Sequence, residues 1–136
     1  MSVYKIIDVE GIGEVYAKKL LDAGVSDTAV LLEKCCKPAG RKALAEATGI
    51  SEKLILMWTN HADLMRIKGI GPQFSELLEK AGVDTVKELA HRVPANLAAK
   101  CAEVNEAHKI VGRVPVEKEI AKMVEEAKTL APMMTY

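Results

Sequence analysis

Apolar residues recur along this chain at three- and four-residue spacing, in short runs closed by glycine or proline. From Glu14, the residues Tyr16, Ala17, Leu20 and Leu21 share one helical face, and Gly24 stands where that helix would end. Val30, Leu31 and Leu32 predict a second helix, with Ser26 or Asp27 as its cap. Pro38 suits the first turn of a third, which continues to Thr48 ahead of Gly49. Ser51 can cap a longer fourth through Leu54, Ile55, Met57, Trp58, Ala62 and Met65. The scheme then restarts. Pro72 opens a helix ended by Gly82, Asp84 caps one through Val86, Leu89 and Ala90, Pro94 opens a third, and Pro115 opens a last through Ile120, Met123, Val124, Ala127 and Leu130. Only Val3 to Val9 reads as extended. The predicted class is all-α.

The restart is an internal repeat. The steps from Gly11 to Gly69, Tyr16 to Phe74, Leu20 to Leu78 and Gly24 to Gly82 are all 58 positions. Further on the match loosens: Lys37-Pro38-Ala39 resembles Val93-Pro94-Ala95, and Glu52-Lys53 resembles Glu117-Lys118, a step of 65. The second copy therefore carries about seven extra residues, expected around Glu106 to Gly112. Two copies predict two tandem units, 1–64 and 65–136, packed as one pseudo-twofold helical domain and not as a solenoid. No Gly/Ser linker separates them, so one cooperative body is expected.

Composition narrows the picture. The 136 residues are 49% hydrophobic and 28% charged, a globular balance. The longest stretch free of charge, Leu54 to Ala62, is far too short to span a membrane. The opening Met-Ser-Val-Tyr-Lys lacks a signal-peptide layout, and three cysteines, Cys35, Cys36 and Cys101, form no disulfide or zinc pattern. A cytoplasmic setting without membrane attachment is expected. Nineteen basic and nineteen acidic residues cancel, so any polyanion must be met by a local site and not by a general field.

That site is sought at the two Gly-Ile-Gly turns. Glycines permit positive φ, expected at Gly13 and Gly71 as well as Gly11 and Gly69, and let a ligand reach the backbone. The following helix aims free N–H groups and its dipole into the same space, which suits phosphate. Ile12 and Ile70 would plug the core beneath. Gly11-Ile12-Gly13-Glu14-Val15-Tyr16-Ala17 resembles the glycine-hydrophobic-glycine, three residues, alanine pattern of helix-hairpin-helix proteins, and Gly69-Ile70-Gly71-Pro72-Gln73-Phe74-Ser75 follows it with serine in the alanine place. Such turns occur in repair nucleases, ligases and polymerases. The resemblance implies binding of DNA backbones through amides without sequence reading, and it admits a monovalent cation at a turn. Ala62 to Gly71, Gly82 to Leu89 and the ending Pro132 to Tyr136 are similar to a narrower group, the domain of unknown function 4332 family of bacteria and archaea.

The expected function is non-sequence-specific binding of nucleic-acid backbone by an accessory protein, with no catalysis. No Walker loop, nucleophile–base pair or paired-carboxylate motif is present. At the second turn Arg66 and Lys68 would supply charge, Gly69, Ile70 and Gly71 the backbone, and Gln73 and Ser75 hydrogen bonds. No acid intervenes before Glu76, so this turn ranks above the first, where Gly11, Gly13, Lys18 and Lys19 are flanked by Asp8, Glu10 and Glu14. Arg66 and Lys68 are both expected to be solvent-exposed. The alternative is a protein-interaction adaptor with purely structural turns, its docking patch the Met133-Met134-Tyr136 tail. The cysteines and the aromatics Tyr16, Trp58 and Phe74 read as core, Glu117 to Lys122 as a solvated face. His61, His91 and His108 show no metal-ligand spacing, and no cofactor is expected.

Overall fold

A computed structural model of the protein describes residues 3–136. The chain is all-α: α1 (Glu14–Asp22), α2 (Thr28–Cys35), α3 (Pro38–Thr48), α4 (Glu52–Leu64), α5 (Pro72–Lys80), α6 (Val86–Ala90), α7 (Pro94–His108) and α8 (Glu117–Thr129). The segment read as extended instead holds one turn of 3₁₀ helix, Ile6–Asp8, and a single bridge from Lys5 to Asp27. Local chemistry explains the helix starts. The Asp27 carboxylate accepts the Val30 N–H at 2.9 Å, and Ser51 Oγ accepts that of Leu54 at 3.2 Å. Two expected starts move. Thr85, not Asp84, caps α6 through the Glu88 N–H, and α8 begins at Glu117, where Glu119 reaches back to the Val116 amide at 3.1 Å.

The 58-residue step reappears in the backbone hydrogen bonds. Ile12 N–H to the Val9 carbonyl is matched by Ile70 to Ile67, and Ala17 to Gly13 by Ser75 to Gly71. At the helix ends Gly24 to Leu21 and Val25 to Leu20 are matched by Gly82 to Glu79 and Val83 to Leu78. These last pairs are Schellman closures, and they require the left-handed backbone of Gly24 (φ 86°) and Gly82 (φ 95°). In the glycine turns the left-handed residues are Gly11 (φ 90°) and Gly69 (φ 92°). Gly13 and Gly71, expected to be strained, are extended N-caps at φ −89° and −104°. The extra residues of the second copy fall where expected: α7 is 15 residues long against 11 for α3, and a longer connection leads from His108 to Glu117.

One apolar cluster runs from Ile6 and Leu20 through Trp58, Ile67 and Leu78 to Val124. α2 and α3 pack on α4, α6 and α7 pack on α8, and α5 contacts both α4 and α7. Ile12 and Ile70 are buried under their turns as expected. Gly40 carries a constraint invisible in the helical pattern: a Cβ there would lie 1.8 Å from the Lys34 carbonyl oxygen, so α2 and α3 meet backbone to backbone. The tail folds back over the first half. Buried Arg41 donates to the Cys35 carbonyl at 2.9 Å and the Thr135 carbonyl at 2.7 Å, and its guanidinium lies 5.7 Å from the Tyr136 ring centre. Of the tail named in the adaptor reading, Met133 and Met134 pack half-buried against the core, while Tyr136 stays exposed.

Gly40→Ala is expected to cost about 3 kcal/mol through forced separation of α2 and α3. Gly11→Ala should cost roughly 1–3 kcal/mol from backbone strain alone. Gly13→Ala, with nothing within 4 Å of the added carbon, should stay within about 0.5 kcal/mol. Urea denaturation measures all three. The wild type should melt in a single transition, since one cluster joins both halves; two resolved transitions would contradict it.

Candidate nucleic-acid interface

The second turn is built between the end of α4 and the start of α5. Asp63, in the last turn of α4, is buried, and its Oδ1 accepts Arg66 at 3.0 Å from Nε and 2.8 Å from a terminal nitrogen. Its Oδ2 accepts the Val86 N–H at 2.9 Å, at the start of α6. Arg66 also donates to the Ala131 carbonyl at 3.1 Å. The Arg66 side chain is only 9% exposed, against the expectation of a free surface charge, because a buried carboxylate must be matched. Ser75 is buried too, its hydroxyl donating to the Pro72 carbonyl at 2.8 Å. Of the other residues expected at this site, Lys68, Gly69 and Gln73 remain exposed, Gly71 is half-buried, and Ile70 is core.

The surroundings of this turn are not basic. Glu126 of α8 accepts the Lys68 amide at 3.2 Å. Gly69, Gly71 and Gln73 line a groove of about 690 Å³ whose other walls include Asp8, Glu10 and the Arg113–Glu119 pair. The acid-free stretch in the sequence therefore acquires acids from two other parts of the chain, the segment before the first turn and α8. Tyr4 crowds one side of the turn: its hydroxyl would stand 3.3 Å from a Cβ on Gly71.

The first turn is the more open one. Gly11, Gly13, Lys18 and Lys19 are all exposed, and nothing lies within 4 Å of the Cβ position of Gly13. Among the described residues no side chain caps α1, Glu14 included, so none of them occupies its first amides. Beneath, Trp58 Nε1 would stand 3.3 Å from a Cβ on Gly11, and Tyr16 leans on Trp58 with ring centres 5.2 Å apart. Gly11, Gly13, Lys18 and Lys19 thus stay exposed together at one helix start, whereas at the second turn Arg66, Ile70 and Ser75 are withdrawn from the surface.

The sequence profile of the domain of unknown function DUF4332 matches residues 10–130. The chain belongs to the DUF4332 family. No curated protein and no solved structure matches it. Within this DUF4332 chain no helix of the described residues is long and apolar enough to cross a membrane. Among the described residues no three His, Cys, Asp or Glu side chains are grouped to hold a metal ion.

Cys35 and Cys101 are buried free thiols, each pushed up to about 11 by desolvation. The aromatic core readings hold for Trp58 and Phe74, while Tyr16 is half-buried. Sequence reasoning missed three anchoring side chains of the DUF4332 chain: Asp63 and Tyr4 beside the turns, and Arg41, which fastens the tail to the end of α2. For Asp63 a signal existed, since an acid three residues before Arg66 on a helical run can reach it. Tyr4 and Arg41 act on segments far away in sequence and carried none.

Arg66→Ala should lose about 3 kcal/mol of stability, because it strands a buried carboxylate, whereas Lys68→Ala should change it by under about 0.5 kcal/mol. Chemical denaturation of the two variants checks the contrast. Equal stabilities would mean that the Asp63–Arg66 pair is not formed in solution.

Proposed function

We propose that this DUF4332 chain is a pair of helix-hairpin-helix units, related by a pseudo-twofold axis, that binds nucleic-acid backbone without reading sequence. The first turn leads the contact. The observation that carries this reading is the exposed, uncapped start of α1 at Gly13, with Lys18 and Lys19 exposed one turn further on. Free amides and a helix dipole seat one phosphate there, and the lysines meet its neighbours. The second turn plays a structural part, with Lys68 and Gln73 as its remaining exposed polar groups.

Lack of base reading follows from how the arginines are used. Guanidinium forks are the usual readers of guanine edges. Arg41 and Arg66 hold backbone carbonyls and Asp63, Arg92 bonds Gly82 and Glu88, and Arg113 bonds Glu119. Lysine contacts to phosphate position a complex but carry no sequence information. The adaptor alternative draws support from the occluded second turn and from an apolar groove on α4.

Fluorescence anisotropy with labelled duplex, single-stranded and branched DNA tests the proposal. Lys18→Glu with Lys19→Glu should lower affinity at least about tenfold and reduce the salt slope by roughly 2, with melting unchanged. Lys68→Glu should do less. Absence of binding to any of the three at about 50 mM salt and tens of micromolar protein would overturn the nucleic-acid reading.

A further inference from the structure

The tail after α8 is held to the body chiefly through its main chain. Arg41 donates to the Thr135 carbonyl at 2.7 Å and Arg66 to the Ala131 carbonyl at 3.1 Å. The Thr135 amide in turn donates to the Cys36 carbonyl at 2.9 Å. At the end of the tail the Tyr136 hydroxyl donates to Asn60 Oδ1 at 3.2 Å, and its ring lies over the Arg41 guanidinium. Two guanidiniums therefore grip carbonyls four residues apart on a segment outside any helix.

Both arginines have a second partner in the body, the Cys35 carbonyl for Arg41 and the Asp63 carboxylate for Arg66. Those contacts fix the donors whether or not the tail is in place, so the seat is preorganised. The tail itself has no buried residue: Met133 and Met134 are half-buried, and Ala131, Pro132, Thr135 and Tyr136 are exposed. A segment with so few buried apolar contacts opens at low free-energy cost. Nor does it fill its seat. A cavity of about 290 Å³ remains beside the two methionines, against Asp63, Thr85 and Lys87, with room for a larger side chain. The surrounding charges are mixed. Lys87 borders the cavity, and Asp84, Glu88 and His91 line the next depression at Tyr136, so recognition rests on main chain and apolar fit and not on charge.

We infer that the tail is the displaceable occupant of a peptide site, which takes a non-helical apolar segment of another protein. That segment offers its carbonyls to Arg41 and Arg66 and its amide to the Cys36 carbonyl, as the tail does, and puts a side chain larger than methionine into the cavity. The chain's own tail shields the site until such a segment competes for it, which lowers the apparent affinity by the fraction of closed molecules. None of the residues that hold the tail lies on α1, so peptide docking here and phosphate binding there are separate properties.

The probe is a fluorescein-labelled synthetic peptide of residues 130–136, Leu-Ala-Pro-Met-Met-Thr-Tyr. Met133→Asp with Met134→Asp in the full-length chain loosens its own tail. Anisotropy should then show saturable peptide binding, at least about tenfold tighter than to the wild type, where the tail competes at high effective concentration. In that background Arg41→Gln should weaken the peptide about tenfold, as should N-methylation of the peptide's Thr135 amide. A peptide with Met133→Phe or one with Met134→Phe should bind more tightly than the tail sequence, and a scrambled peptide of the same composition should not bind. In the wild type, unlabelled tail peptide at about millimolar excess should move the Met133 and Met134 methyl resonances toward their free positions. Absence of saturable binding to the loosened chain, equal binding of the scrambled peptide, indifference to the N-methyl group, or no gain from either phenylalanine would overturn the inference. If a protein variant fails to fold, the wild-type methyl titration with the tail, N-methylated and scrambled peptides decides it.

Discussion

A carboxylate withdrawn from water must be matched on every side, and the way Asp63 is matched organises the second half of the molecule. One oxygen takes the Arg66 fork and the other takes the Val86 amide. A single side chain thereby ties the end of α4, the second glycine turn and the start of α6. Arg66 then reaches on to Ala131, which brings in the tail. Removing either partner leaves an uncompensated buried charge, a far larger penalty than losing a surface ion pair. In the first half the same junction is made without charge. Tyr4 donates its amide to the Thr28 hydroxyl at 3.1 Å and accepts the Thr28 amide at 2.9 Å. Two solutions to one geometric problem sit at matching places of the repeat, since Thr28 and Val86 are 58 positions apart.

That difference sets the fate of the two turns. They share spelling, left-handed first glycines and helix-end closures, so their backbones form alike. Their surroundings do not match. The second turn is fastened by Asp63, shadowed by Tyr4 and faced by Asp8, Glu10 and Glu126. The first has its own helix start, with the exposed Glu14 in it, above a Trp58 floor. Accessibility of a turn is a property of what packs around it, and motif spelling carries only its local half.

How much was legible follows from the range of the interactions. Helix starts, the left-handed glycines Gly11 and Gly69 and the buried Ile12 and Ile70 depend on neighbours three to five residues away, and periodicity reads those well. Misplacing strain onto Gly13 and Gly71 came from treating both glycines of each turn alike, when only the first reverses the chain. The acid-free reading of residues 66–75 failed for a different reason. Asp8, Glu10 and Glu126 arrive through tertiary packing, which linear charge counting does not see. Gly40 was equally silent, because a glycine inside a helix looks like a weak helix former until a second backbone lies against it. Exposure of Arg66 could have been doubted from Asp63-x-x-Arg66 alone.

Neutral net charge also looks different once the partners of each cation are known. The arginines are the stronger, bidentate donors, and all four are turned to the protein's own carbonyls and carboxylates. What remains for a polyanion is chiefly lysine, a hydrated point charge on a flexible stem, with Arg113 held only in an exposed surface pair. Lysines attract phosphate wherever it lies, lose that attraction to salt, and cannot discriminate base edges. A balanced sequence can therefore still present a usable local site, provided its acids are consumed elsewhere. At the second turn they are not, because Asp8 and Glu10 face the groove. At α1 a glycine turn, a helix start without a side-chain cap and two exposed lysines come together, whereas at α5, equally without a side-chain cap, the turn has Lys68 beside the acids of the groove.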